Sequence, residues 1–203
     1  MSLERGLPWF LAALAAGYVI GSLPVGVVVA RIFGLGDLRQ IGSGNIGATN
    51  VLRTGNRLAA LLTLYLDAAK GAVPVLLFLS WGDLAAQAAG LGAVLGHCFP
   101  VWLRFRGGKG VASFIGVILA LYWPAGMAVC LTWLIAAGLS RTSSVGALAA
   151  TAGAAAWLAL FGRYEAVLVT LILAVLIWLR HSENIRRLIA GTEPKISRLR
   201  RRH

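Results

Sequence analysis

The chain has 203 residues, 59% of them hydrophobic and 13% charged, with 19 lysines and arginines against seven acids for a net charge of +12. The charges are bunched between long apolar runs, and the longest polar segments, roughly 25 residues, are too short to bury a core of their own, which excludes a soluble globular domain. Cys98 and Cys130 both fall in apolar runs without pairing or ligand spacing, which argues against a disulfide framework and against a thiolate metal site.

A membrane span needs about 20 mostly apolar residues, and seven candidates follow one another along the chain. The first, Phe10 to Ile32, exceeds the h-region of about 7 to 15 residues in a secretory signal and is read as an uncleaved helix. After it comes a glycine-rich loop, Gly42 to Asn50. Leu58 to Leu79 follows, with Asp67 and Lys70 one turn apart; intramembrane charges are costly unless paired, so these two are expected to form a buried ion pair. Leu84 to Leu103 carries His97 near its end and leads into the loop Arg104-Phe-Arg-Gly-Gly-Lys-Gly110. Val111 to Trp123, at 13 residues, is the shortest candidate. A half-length helix starting there would aim its N-terminal amides at whatever the preceding loop binds. Pro124 to Leu139, Val145 to Phe161 and Ala166 to Leu179 complete the set, and the last leaves the bilayer as His181-Ser-Glu183-Asn184-Ile-Arg-Arg187.

Lysine and arginine concentrate in cytoplasmic loops. With the N-terminus outside and the C-terminus cytoplasmic, 16 of the 19 basic residues fall on the inner side, Arg5 and Arg163 fall outside, and Lys70 lies within a span. Merging the fourth and fifth segments would put the basic tail on the outer face, so seven spans are preferred to six. The tail itself, Lys195-Ile-Ser-Arg-Leu-Arg-Arg-Arg, follows a span and reads as a headgroup anchor, not as a nucleic-acid patch. The expected architecture is therefore an all-α integral membrane protein of seven helices, some short or broken, forming one membrane-embedded domain over residues 1–203.

Glycine lets a backbone turn its amides toward one point, and a neighbouring Lys or Arg adds full positive charge, so both glycine loops suit phosphate. Two familiar motifs do not fit. Gly42-Ser-Gly44-Asn-Ile-Gly47 matches the dinucleotide pattern, with Asp67 20 residues beyond the last glycine, but Asp67 sits in an apolar helix and no strand precedes the loop. In Gly107-Gly-Lys109 the lysine is followed by Gly110 where a P-loop needs Ser or Thr. What remains is a set of polar groups that all emerge on one face: Ser43, Asn45, Thr49, Asn50 and Arg53 from the first loop, His97 and Lys109 around the second, and His181 with Asn184, one turn apart, from the third. No acidic cluster suggests a metal, and no Ser-His-Asp set occurs within one segment.

Three stretches carry a family resemblance. Ser43-Gly-Asn-Ile-Gly-Ala-Thr-Asn50, Gly96-His-Cys-Phe-Pro100 running to Phe105-Arg-Gly-Gly-Lys-Gly-Val-Ala112, and His181-Ser-Glu-Asn-Ile185 with Arg187-Leu and Gly191-Thr-Glu193 resemble the motifs of the bacterial acyl-phosphate:glycerol-3-phosphate acyltransferases of PlsY type. Asp67-Ala-Ala-Lys70-Gly71 is similar to a further family segment. Ser113 stands where the family often has Thr, and Arg141-Thr-Ser-Ser144 matches loosely.

The resemblance implies a phospholipid-synthesis enzyme of the bacterial inner membrane, with its active site facing the cytoplasm. The 1-hydroxyl of glycerol 3-phosphate would attack the carbonyl of a fatty acyl phosphate, giving 1-acylglycerol 3-phosphate and inorganic phosphate. Its partners are the two substrates and membrane lipids, with no cofactor, metal or nucleic acid and no obligatory protein partner. An acyl phosphate is already activated, so positioning and charge stabilisation carry the reaction. On this reading the amides of Gly107, Gly108 and Gly110, with Lys109, hold the leaving phosphate, and Ser144 joins the substrate-binding set. Arg53, Lys109, His181 and Asn184 hold glycerol phosphate. Ser43 orients a substrate phosphate or hydroxyl and His97 serves proton transfer or an oxyanion contact, so that Ser43, His97 and Asn184 form the catalytic set. Whether a side chain or the substrate phosphate takes the hydroxyl proton stays open. Glu183 and Glu193 are expected to tie the tail to nearby arginines. A transporter of a phosphorylated metabolite is the alternative, but paired repeats and mid-membrane polar sites are not apparent; a non-catalytic lipid-binding protein would leave the glycine loops without a use.

Overall fold

The computed structural model describes residues 3–196, so the tail arginines from Arg198 onward lie outside the described residues. Ten α-helices run in order: α1 (Leu3–Gly21), α2 (Val25–Ile32), α3 (Ala48–Leu52), α4 (Arg57–Phe78), α5 (Asp83–Cys98), α6 (Val111–Leu121), α7 (Trp123–Ser140), α8 (Ser143–Leu160), α9 (Val167–Arg180) and α10 (Ser182–Ile189). No strand occurs among the described residues. Backbone groups in lipid must be satisfied within a segment, and helices do this.

The expected first span is two helices. Pro24 lacks an amide hydrogen and biases Leu23 away from the helical region, so α1 stops at Gly21 and α2 restarts at Val25. A break of this kind frees carbonyls, and Lys70 Nζ on α4 donates to one of them, Leu23 O, at 2.9 Å.

Small residues bring the helices together. A Cβ added at Gly17 or Gly21 of α1 would strike the carbonyls of Ala89 and Ala93 on α5, and one added at Gly92 or Gly96 of α5 would strike those of Leu14 and Tyr18. The two helices thus meet backbone to backbone, through paired glycines four residues apart on each side, the packing that lipid-embedded helices use where no hydrophobic force separates helix from lipid. The largest buried cluster joins Val94 and Cys98 of α5, Phe114 and Val117 of α6, Leu158 of α8 and Leu173 and Ile177 of α9.

All seven predicted apolar segments are helical, but their lengths differ. Among the described residues five helical stretches are long and apolar enough to cross a bilayer, and the pair Tyr164–Arg180 and Ser182–Ile189, bent by 61°, makes six if taken as one span. The segment expected to run to Trp123 ends at Leu121, giving an 11-residue α6. At 1.5 Å per residue it reaches about 16 Å, half of a hydrocarbon core of about 30 Å. Tyr122 is extended, with φ −158° and ψ 100°, and a Cβ on Gly126 of α7 would meet Leu119 of α6. Those two residues could not approach in one continuous helix. The chain therefore turns back at Tyr122, and the fourth and fifth segments are separate.

Candidate active site

The loop before α3 is organised by Asn50, a buried side chain. Its Nδ2 donates to Leu38 O at 2.8 Å, and its Oδ1 accepts from Ser43 N at 3.1 Å and from Arg53 Nη1 at 3.5 Å. Gly42 makes this possible: its φ is +54°, and a Cβ there would run into Asn50 Oδ1 and Arg53 Cδ. Ser43 is exposed with its hydroxyl 3.5 Å from Asn50 Oδ1, and Thr49 is half-buried. Asn50 is thus the support of this loop, and Ser43 and Arg53 are what it presents. Asn45 Oδ1 is buried with no hydrogen-bond partner among the described residues.

The second loop is tied down closely. Arg104 and Phe105 both lie in the left-handed region, at φ 51° and 61°, a conformation that costs non-glycine residues on the order of 1–3 kcal/mol each. Turn bonds from Phe105 N to Pro100 O and from Arg106 N to Leu103 O, 3.0 and 3.1 Å, hold them there. The amide cradle expected from Gly107 and Gly108 needs correction. Gly107 N donates to Cys98 O at 3.2 Å and Gly108 N to His97 O at 3.1 Å, so both donors are used to close the end of α5 and cannot also face an anion. Their carbonyls accept from Arg180 Nη2 and Nε at 3.2 and 3.3 Å. Gly110, at φ +84°, caps α6, and Lys109 between them is the group this loop offers.

Lys109 Nζ donates to Asn184 Oδ1 on α10. Asn184 Nδ2 donates in turn to Glu193 Oε1 at 2.6 Å, and Glu193 Oε2 accepts from Arg187 Nε at 2.7 Å. Arg187 also pairs loosely with Glu183, 3.9 Å away. The segment after α10 is pinned by a bond of 2.7 Å from Ile196 N to Arg141 O, which brings it over the turn between α7 and α8. There Ser144 Oγ lies near enough to Glu193 to favour its charged form, yet is buried without a hydrogen bond of proper geometry. Burial pushes the Glu193 carboxyl up, but the bonds from Asn184 and Arg187 outweigh it and hold the group below the usual carboxylate range. Burial lowers Lys109 to about 8; the negative charges of Glu193 and Glu183 oppose that shift, and the positive charges of Arg187 and Arg53 add to it. The reach of the Arg53 charge to Lys109 joins the first loop to the other two.

His97 faces inward. Ser113 Oγ donates to Asp67 O at 2.8 Å, so His97 Nδ1, 3.1 Å from that oxygen, carries the hydrogen and donates to it. Asp67 Oδ1 lies 2.9 Å from Lys70 Nζ, which forms the expected ion pair, and 3.5 Å from His97 Nδ1, whose ring lies beside that pair. A Cβ on Gly108 would overlap His97 Nε2, so the ring fills the space under the loop. His181 is likewise buried, its Nδ1 donating to Ile177 O at 2.7 Å, which leaves Nε2 as the acceptor nitrogen. Residue-by-residue reading missed Arg180 and Ser113, whereas Arg187 is the arginine that the expected pairing of Glu183 and Glu193 finds. Arg180 ends an apolar run and looks like a topological charge; Ser113 looks like a helix hydroxyl. The hydroxyl that Ser113 supplies is one that Thr would supply as well.

A family model described as glycerol-3-phosphate acyltransferase matches residues 11–191. The chain belongs to that family. Among relatives, the acyltransferase is 56% identical to a glycerol-3-phosphate acyltransferase of Cereibacter sphaeroides over 198 residues, covering 97% of this chain and 94% of the relative. It is 57% identical to one of Ruegeria sp. over 196 residues, covering 96% and 97%. A crystal structure of PlsY, an integral membrane glycerol 3-phosphate acyltransferase in its glycerol 3-phosphate form, superposes with a TM-score of 0.87 at 36% identity, covering 92% of this chain and 94% of that one. The lysophosphatidic acid form of PlsY gives 0.84 at 34% identity over the same shares. The acyltransferase therefore serves phospholipid synthesis, and the transporter and scaffold alternatives fall away.

Proposed function

We propose that the acyltransferase takes its acyl group from a fatty acyl phosphate and delivers it to the 1-hydroxyl of glycerol 3-phosphate, releasing 1-acylglycerol 3-phosphate and inorganic phosphate. The observation that carries this reading is the position of Lys109, bonded to Asn184, which is joined in turn through Glu193 to Arg187. Lys109 and Arg187, far apart in the chain, are thus joined through one asparagine and one glutamate, with Arg53 presented by the first loop. That arrangement suits a reaction in which both reactants bring a phosphate and one brings an acyl chain.

The hydroxyl oxygen forms a C–O bond to the acyl carbon, the bond from that carbon to the phosphate oxygen breaks, and the leaving phosphate takes the electron pair. Lys109 stabilises the phosphate charge, with Arg53 and Asn184 placing the glycerol phosphate and Ser43 orienting the hydroxyl. The hydroxyl proton passes to a phosphate oxygen of the substrate, because His97 Nδ1 is engaged by Ser113 and its other nitrogen abuts Gly108. Ser144, Thr49, Asn45 and His181 complete the polar lining. The basic-residue distribution supports seven segments with the N-terminus outside and this site at the cytoplasmic face of the bacterial inner membrane.

Purified protein in phospholipid nanodiscs, given acyl phosphate and glycerol 3-phosphate, should release phosphate and lysophosphatidate in equal amounts, and acyl thioesters should give neither. Product from a thioester, or none from acyl phosphate, would sink the donor assignment.

A further inference from the structure

Arg180 is the last residue of α9 and has no substrate role above. Its Nε and Nη2 reach Gly108 O and Gly107 O at 3.3 and 3.2 Å, and its guanidinium carbon lies 5.2 Å from the centroid of the Phe99 ring. One planar fork thus takes two consecutive carbonyls while its face rests on an aromatic ring. Arginine offers that geometry, and the point charge of a lysine does not.

We propose that Arg180 is a positioning residue for acyl transfer, holding the two peptide units before Lys109 so that the ammonium meets Asn184 and the substrate phosphate. This rests on the phosphate-binding reading of the loop given above. In a trans peptide the carbonyl and amide of one unit point in opposite directions. With Gly107 O held by Arg180, the amide of the same unit, Gly108 N, turns the other way and reaches His97 O at 3.1 Å. The Gly107–Gly108 peptide unit is fixed from both sides, and the two carbonyl dipoles, which would repel an anion, are engaged by a cation.

The placement of Arg180 along the chain adds a second argument. α9 and α10 meet at 61°, with Arg180 just before the bend and Asn184 just after it. Both grip the same loop, Arg180 through the glycine carbonyls and Asn184 through Lys109 Nζ. The loop is therefore stapled across the bend. Releasing one staple lets Lys109 shift relative to Asn184 while the helices stay packed.

The test is steady-state kinetics of Arg180→Ala and Arg180→Lys in nanodiscs, with melting temperature recorded for each. A misplacement of about 1 Å costs on the order of a hundredfold in rate, and a loss of that size in kcat is expected for both variants, with the melting temperature near wild type. Phe99→Leu, which keeps the fork and loses the ring, should lose less. Millimolar guanidinium should restore part of the Arg180→Ala rate, and methylammonium should not. Near-wild-type kcat in either variant overturns the proposal, and so does failure of guanidinium to restore activity. Wild-type protein that does not turn over acyl phosphate removes the donor assignment first and this role with it, a result separable from active wild type with an unaffected variant.

Discussion

Lys109 and Asn184 are 75 residues apart in sequence and share a hydrogen bond. Asn184 is itself held by Glu193, so the amide orientation is set: Nδ2 toward the carboxylate, Oδ1 toward the ammonium. A hydrogen bond to a charged group is worth about 1.5–3 kcal/mol, roughly ten- to hundredfold in kcat/KM. Asn184→Ala should lose that much, and Lys109→Ala, which also removes the charge, should lose more. The double variant should fall short of the product of the two single losses, because each residue acts partly through the other. Losses that multiply in full would show that the two work independently.

The same lysine sets a pH limit. Burial lowers Lys109 to about 8, so it is an ammonium below that pH and a neutral amine above it. Activity that needs the charge is present at lower pH and disappears as pH rises through about 8. Since kcat/KM reports the free enzyme, its alkaline limb should lie there, and the limb in kcat should lie higher because bound phosphate favours the ammonium. Lys109→Arg should remove the limb while lowering the rate, as guanidinium stays charged. Initial-rate profiles for both proteins check this, and an alkaline limb retained by Lys109→Arg would assign it elsewhere.

Gly108 has no positive φ, so an alanine there meets no backbone strain; what it meets is His97 Nε2. Gly108→Ala should therefore displace the imidazole or the loop and cost most of the activity. Adding His97→Ala to Gly108→Ala should recover part of it, because the clash is gone and, on the substrate-assisted reading, no proton carrier is lost. A double variant as inactive as His97→Ala alone, with that single variant near zero, would make His97 an acid or base in its own right.

Asp67 and Lys70 lie 2.9 Å apart at 3% and 7% exposure, with Lys70 also on Leu23 O and Asp67 beside His97. Removing one partner of a buried pair leaves an uncompensated charge and costs about 3–5 kcal/mol. Asp67→Asn or Lys70→Met should each lower the melting temperature of the detergent-purified protein markedly. Replacing both by leucine should cost less than the sum of the two single losses. Full additivity would mean that the pair is not coupled.

Much of the fold was legible because its determinants are local. Apolar runs of span length become helices wherever backbone groups have no water to bond, and all seven predicted runs did so, from Phe10–Ile32 to Ala166–Leu179. Their ends were less legible. Pro24 could be seen in the sequence, yet the split of the first span into α1 and α2 depends also on Lys70 reaching Leu23 O from another helix. The stop of α6 at Leu121 follows from the reversal at Tyr122, which packs Gly126 on Leu119.

At the site, the residue types that serve phosphate and the loops that carry them could be read from Ser43, Arg53, Lys109 and Asn184 in sequence order. Their partners could not. The amides of Gly107 and Gly108 read as anion donors until the end of α5 claims them, and His97 reads equally as a proton-transfer group or a structural hydrogen-bonder, its partners Ser113 and Asp67 being visible only in the packed helices. Arg180 reads as a membrane-edge charge until the bend between α9 and α10 lays it over the loop. Hydropathy and glycine content act over a few residues and are written in the chain. A hydrogen-bond partner 46 to 75 residues away is chosen by how helices cross and bend, which only the packed tertiary structure decides.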